Sequence, residues 1–337
     1  ESAERYPLSL RTVINRRYSQ DMTSRVPALA ALAAGSVLVL AGCATATPAG
    51  SSGGDASPLK VVASTNVYGS LAEAIGGKDV EVTSIIHSMS QDPHSYEASA
   101  RDQLTISDAD LILENGAGYD SFLDSLVEAS GTKAPVLTAV EYSHAYEDAD
   151  PQHADDHGHG HIEGFNEHVW YDPHTMEEYI TAIAKELGTL DAAKADTFTK
   201  NADTLIEGIS GLETSLDGLK AKYDGEKVFV TEPVPLYLTA AAGLENATPE
   251  AFSEAVEEGQ DVPPATLLEA TKILESGEVR TVVVNAQTGG AETSEIEKLA
   301  KTNDIPVLKV TEVMPEGLTY VTWMQKNIDE LAGTLTR

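Results

Sequence analysis

Four side chains able to hold a transition metal stand out, three just after short β-branched runs, where open α/β sheets gather their ligands, and His168 after an acidic loop. His94 lies in Ser90-Gln91-Asp92-Pro93-His94-Ser95-Tyr96-Glu97, after the run Val80–Ile86. His168 lies in Asn166-Glu167-His168-Val169-Trp170-Tyr171-Asp172-Pro173. Glu232 follows Val228–Thr231, and Glu312 follows Val307–Thr311. Two imidazoles and two carboxylates suit tetrahedral Zn²⁺, and they suit Mn²⁺ or Fe²⁺ almost as well. Taken singly, each has an ordinary alternative: a histidine in a Pro-containing loop is commonly a turn residue, and a strand-end glutamate a solvated cap. A second signal is compositional. His153, His157, His159 and His161 lie among Asp155, Asp156 and Glu163, a tract suited to weak auxiliary metal binding or to a solvated loop.

The elements that must carry these residues read as two α/β lobes. Strand-like runs at Leu59–Ser64, Val80–Ile86, Ala109–Leu113 and Val136–Val140 alternate with helical stretches such as Gly69–Ile75 and Arg101–Ser107. That alternation predicts a parallel sheet flanked by helices. The His- and Asp-rich stretch 144–167 interrupts it. Phe198, Ala202, Leu205, Ile209, Leu212, Leu216, Leu219 and Tyr223 then recur every three or four residues. They form one apolar stripe on a helix over 191–223, about 50 Å long. A second α/β pattern follows, with strands at Val228–Thr231, Val279–Asn285 and Val307–Thr311 and helices at 235–242, 263–276, 291–303 and 318–336. The expected organisation is a first metal-binding lobe over 59–190, a linking spine helix over 191–223 and a second lobe over 224–337. A coiled-coil dimer is the other reading of the long stripe. The resumed α/β pattern favours the spine, and with it a monomer.

The N-terminal region reads as targeting. Val26 to Ala41 is almost wholly small and apolar, with Arg16, Arg17 and Arg25 before it and Leu40-Ala41-Gly42-Cys43 at its end. This end resembles a bacterial lipobox, which implies cleavage before Cys43, lipidation of that cysteine and anchoring at the outer side of the membrane by acyl chains. Residues 1–42 are thus expected to be a signal peptide, with 1–21 an extension upstream of Met22. Residues 43–58, rich in Ala, Thr, Ser, Gly and Pro, form a flexible tether.

Cys43 is the sole cysteine of the 337 residues, so the body has neither disulfides nor thiolate ligands. The net charge of −32 becomes −34 once residues 1–42 are removed, which argues against nucleic-acid binding and concentrates cations near the surface.

The two histidine segments also carry a family resemblance. Asp92-Pro93-His94-Ser95-Tyr96-Glu97 and Glu167-His168-Val169-Trp170-Tyr171-Asp172 resemble the ligand segments of the metal-binding lipoproteins of bacterial zinc and manganese ABC importers, the cluster A-I or TroA-like group. Thr231-Glu232 and Thr311-Glu312 are similar to the segments supplying the third and fourth ligands, with Glu232 where zinc-type members carry histidine. Pro233 and Pro235 depart from the usual helix start and make Glu254 a fallback third ligand.

The resemblance covers the chain from Leu59 onward. It implies a binding protein, not an enzyme, that captures Zn²⁺ or alternatively Mn²⁺ between two lobes and delivers it to a membrane permease. Neutral imidazoles are required, so affinity should fall below about pH 6.5. A secreted metallohydrolase and a metal-stabilised adhesin are the readings from other classes. No His-Glu-x-x-His occurs, and His161-Ile162-Glu163 lacks the Pro-Cys-x-x-Cys that a deaminase needs.

Overall fold

The computed structural model describes residues 57–148 and 164–336. Cys43 and the tract histidines His153, His157, His159 and His161 lie outside the described residues. The first lobe is a four-stranded parallel sheet of β1 (Leu59–Thr65), β2 (Val80–Ile86), β3 (Leu111–Glu114) and β4 (Val136–Thr138), in the order β2-β1-β3-β4. Its helices are α1 (Asn66–Gly76), α2 (Ala100–Ser107), α3 (Ser121–Ser130), α4 (His144–Asp148) and α5 (Pro173–Leu190). The second sheet contains β5 (Lys227–Val230), β6 (Glu245–Asn246), β7 (Val279–Asn285) and β8 (Val307–Val310), again parallel, in the matching order β6-β5-β7-β8. Around it lie α7 (Leu236–Ala241), α8 (Glu250–Glu257), α9 (Pro264–Glu275), α10 (Ala291–Thr302) and α11 (Tyr320–Leu335).

The fold is the two-lobed α/β architecture expected from the sequence. Both sheets run outward from their first strand in two directions, so each has a switch point beside β1 or β5. Chain segments leaving the strand carboxyl ends diverge there and open a crevice. The central strands β1, β3, β5 and β7 are rich in Val, Leu and Ile because both of their faces are largely covered, while the edge strands β2 and β6 are partly exposed.

Helix α6 (Ala195–Tyr223) joins the lobes. It begins four residues later than the apolar spacing alone suggests, because Asp191–Lys194 make the turn that folds α6 back along α5. Six of the eight stripe positions are buried, and Leu205 and Tyr223 are half-buried. Each buried leucine contributes about 1.5–3 kcal/mol. The stripe enters a single apolar core running from Val61 and Leu71 through Phe198 and Leu212 to Val228, Trp323 and Leu331. Separate cores line the outer faces of the two lobes. A core continuous across the junction means that wide separation of the lobes would expose apolar surface.

Close packing has a local mark at Gly69 on α1: a Cβ there would stand 2.2 Å from Ser84 Oγ on β2, so only glycine lets the helix approach the sheet. Among the described residues no helix is long and apolar enough to cross a membrane.

Candidate metal centre

His94 reaches the cleft from the loop after β2. Asp92 shapes that loop, its carboxylate accepting from the backbone N–H of His94 at 3.0 Å and from Ser95 Oγ at 2.7 Å. The His94 ring meets Tyr119 edge-on, with centroids 5.0 Å apart.

His168 comes from the segment before α5, not from a strand end. The chain turns through a 3₁₀ segment, Val169–Tyr171, and Asp172 caps α5 by accepting from the backbone N–H of His174, with Pro173 in the first turn. His168 is fully buried against Tyr119 and Trp170. Its Nδ1 lies 2.7 Å from Asn166 Oδ1. The Asn166 amide is oriented by its own Nδ2, which donates to Pro233 O at 3.1 Å. Nδ1 must therefore carry the proton, and Nε2 keeps its lone pair for the cleft. Asn166 thus sets the tautomer and ties the first lobe to the residue after Glu232. Tyr237 Oη strengthens the tie by donating to Asn166 O at 2.6 Å.

The lobes meet at further polar contacts. Asn66 pairs with the backbone of Met314 through both of its amide atoms, at 2.7 and 3.0 Å. Tyr171 Oη donates to Thr311 O at 2.8 Å, next to Glu312. Gln287 Oε1 accepts from the backbone N–H groups of Glu312 and Val313 at 2.7 and 2.6 Å, and its Nε2 donates across the cleft to Gln91 O at 3.3 Å.

The second lobe supplies carboxylates. Asn285, at the end of β7, donates from Nδ2 to Glu232 Oε2 at 2.7 Å and to Glu312 Oε1 at 2.6 Å. Thr288 Oγ1 donates to Glu232 at 2.7 Å. Both carboxylates are buried. Burial is the main reason that Glu312 is raised to about 8 and Glu232 to about 7, and the charge of Glu232 raises Glu312 further. Glu257 at the end of α8 is pushed well above the carboxylate range by burial and then by Glu167, Glu232 and Glu312. Such groups hold protons until a cation arrives to replace them.

The tightest set of donors is His94, Glu167, His168 and Glu257, each offering an atom within 4.8 Å of the others. His168 Nε2 is 3.5 Å from Glu257 Oε1, and His94 Nε2 is 3.9 Å from Glu312 Oε2. Among the described residues, Glu257 Oε1 is buried without a hydrogen-bond donor, while the Glu312 carboxylate has the Tyr119 hydroxyl and the Asn285 amide as donors. Of the four residues singled out in the sequence, His94 and His168 come together, Glu312 faces His94, and Glu232 stays outside the tightest set in the grip of Asn285 and Thr288. Glu254 is not in that set either. It lines a cavity of about 600 Å³ together with Glu167 and Glu257.

Glu257, Glu167 and Asn166 have no role in the sequence reading. Glu167 and Asn166 sit within the quoted His168 motif, so adjacency could have flagged them. Glu257 lies at a helix end in Val256-Glu257-Glu258-Gly259, which looks like a solvated C-terminus. A second cavity, about 500 Å³, opens between Asp92 and His94 on one side and Glu257 and Thr288 on the other, so Glu257 borders both openings.

Residues 61–334 match the family described as "ZnuA: Zinc-uptake complex component A periplasmic". A manganese-binding lipoprotein, MntA, of Halalkalibacterium halodurans is 30% identical over 170 residues, about half of each chain (50% of this chain and 52% of that one). The manganese ABC transporter substrate-binding lipoprotein PsaA of Streptococcus mitis is 24% identical over 90% of this chain and 96% of its own. In structure, the laminin-binding adhesin Lmb of Streptococcus agalactiae superposes with a TM-score of 0.67 at 23% identity, covering 82% of this chain and all of that one. The match over 61–334 takes in both lobes and every cleft residue described above, and the chain belongs to this family of substrate-binding proteins of metal ABC importers, which is a transport family and not an enzyme family.

Proposed function

We propose that this chain captures Zn²⁺ in the cleft and hands it to its membrane permease, acting as a monomer anchored outside the cytoplasm by a lipid on Cys43. The observation that carries the reading is the convergence of fully buried His168 and half-buried His94 with the carboxylates of Glu167, Glu257 and Glu312. In a poorly hydrated cleft these carboxylates repel one another, and a divalent cation is the partner that resolves the repulsion.

His94 and His168 hold the ion as neutral imidazoles, and Glu312 with Glu232 supplies the charge from the second lobe. Asn285 positions that carboxylate pair. Glu257 competes with Glu232 from the same lobe, and its distance of 3.5 Å to His168 favours it as an early contact for the entering ion. Nothing in the cycle needs a chemical step: binding, a small closure about α6 and release to the permease suffice. The tract 144–167 serves as an auxiliary zinc collector.

Two imidazoles and the histidine tract favour Zn²⁺. A manganese reading has its own support, since Glu167, Glu232, Glu257 and Glu312 all crowd the cleft and oxygen donors suit the harder ion. Elemental analysis of protein purified without added metal, followed by Zn²⁺/Mn²⁺ competition, decides between them. One zinc per chain that manganese fails to displace is the expected result; tight manganese with zinc excluded overturns the choice of ion. Absence of any tight ion overturns the reading as a whole.

A further inference from the structure

A second group of metal-type side chains lies on the α5–α6 hairpin, outside the cleft. His174, Glu177 and Glu213 each offer an atom within 4.8 Å of the other two. His174 and Glu177 are three residues apart on the first turns of α5 and so share a face. The α5–α6 turn brings Glu213 opposite them on α6, and the register is held where Ser210 Oγ donates to Glu177 Oε1 at 3.2 Å.

A fourth donor comes from a separate element. His144 opens α4, and its Nε2 lies 3.1 Å from His174 Nε2, with the two rings close to parallel at 19°. We propose that His144, His174, Glu177 and Glu213 form a second, exchangeable site for a divalent transition metal of the zinc class.

The geometry suits one ion. With Zn–N and Zn–O bonds of about 2.0–2.2 Å, donors around a tetrahedral ion stand roughly 3.3–3.6 Å apart. The two imidazoles stand 3.1 Å apart and the other donors lie within 4.8 Å of one another, so side-chain rotations complete the site. Helix bundles present metal ligands by pairing glutamate and histidine three residues apart on one helix with a glutamate on its neighbour; here the pair runs His-x-x-Glu and lies on the outer face. The ordinary alternative is a neutral imidazole pair sharing one proton, and it accounts for His144 and His174. His174 is also an electrostatic partner of Glu213, and that pairing offsets only part of the repulsion between Glu177 and Glu213 across the same imidazole.

The environment predicts a weaker site than the cleft. His144 and His174 are exposed and Glu177 and Glu213 half-buried, so water competes for the ion. The N-terminus of α5 also points its positive dipole end toward the site. Weak, open coordination is what exchange requires. The site is independent of the cleft residues and does not rest on the reading given for them.

The test is a Zn²⁺ titration by calorimetry on the full chain in which His153, His157, His159 and His161 are all replaced by asparagine, so that the tract contributes nothing. Two events are expected, one tight and one weaker. His174→Ala, and separately Glu213→Gln, should weaken the second event at least tenfold and leave the first unchanged. His94→Ala should remove the first and leave the second, so failure of the cleft reading and failure of this one give different results. Glu177→Gln replaces His174→Ala should that variant lose its far-UV circular dichroism. A single event in the tract-substituted parent, or a second event that neither His174→Ala nor Glu213→Gln alters, overturns the proposal.

Discussion

The two lobes share a sheet topology and differ in what they bring to the cleft. The first contributes imidazoles, His94 from a loop and His168 from a helix-entry turn. The second contributes Glu232 and Glu312, just beyond the ends of β5 and β8. Their supports differ in the same way. Each imidazole is set by a local polar side chain, Asp92 shaping the His94 loop and Asn166 holding His168. The two carboxylates share one amide, that of Asn285. Matching frames thus carry different chemistry, because parallel sheets dictate where loops emerge but not which side chains the loops bear. Glu167 adds a carboxylate to the first lobe's imidazoles, and Glu257 meets them from the second, so in the proposed reading capture and the relative position of the lobes are coupled.

The comparison can be broken most severely from the first lobe. His168→Ala removes a fully buried donor and should lower affinity by more than about 100-fold, beyond the range expected for loss of an outer-shell partner. Competition against a chromophoric chelator measures it. Retained tight binding would mean that His168 is not a ligand.

Asn166→Ala comes next. It frees the His168 tautomer and cuts the link to Pro233 while leaving every donor in place, so a loss of about 10–100-fold is expected. The same chelator competition measures it, with an unchanged melting temperature excluding a fold defect; unaltered affinity would show that the Asn166 contact does not set the ligand.

The second lobe is sharpened by comparing Glu232→Gln with Glu257→Gln. Glutamine keeps hydrogen bonding and removes the charge. If Glu232 is the resident ligand, its variant loses about tenfold or more and the Glu257 variant less. The reverse order would assign the α8 carboxylate to the ion and leave Glu232 as a hydrogen-bonded neighbour.

The smallest effect concerns stability and not binding. Glu114 closes β3 in the first lobe, buried and accepting from Thr138 Oγ1 at 2.7 Å, and burial followed by the charge of Asp120 raises it to about 8. The folded chain keeps this proton where the unfolded chain has lost it. Its contribution is therefore whole below about pH 4.5 and falls as pH rises toward 8, by at most about 1.4 kcal/mol per pH unit. Glu114→Gln should remove that slope, so that the variant gains in melting temperature on the parent between pH 5 and pH 8. Equal slopes by calorimetry would show that Glu114 ionises freely.

Much of the molecule was legible without coordinates. Val279–Asn285 is legible as a strand because a central parallel strand needs a nearly continuous apolar run, and Val80–Ile86 because a half-exposed edge strand keeps β-branched residues on its covered face. The α6 stripe is legible because a helix buried on one side must repeat apolar residues at the helical period. Other elements escaped. The two-residue strand β6 has too little sequence to carry a pattern, and α8, which ends at Glu257, is short and polar on most of its surface.

The sequence by itself determined the two lobes, the spine helix and the paired motifs around His94 and His168, since these follow from local periodicity and from residue types adjacent in the chain. Only the tertiary structure decided which carboxylates face those imidazoles. Glu257 lies 89 residues from His168 and Glu312 lies 218 from His94. The same holds for Asn285 between two glutamates and for His144 beside His174. Such meetings depend on how helices and loops pack at distance, and no local pattern records them. The physical reason is that a donor's type is a property of one residue, while its reach is a property of the whole fold.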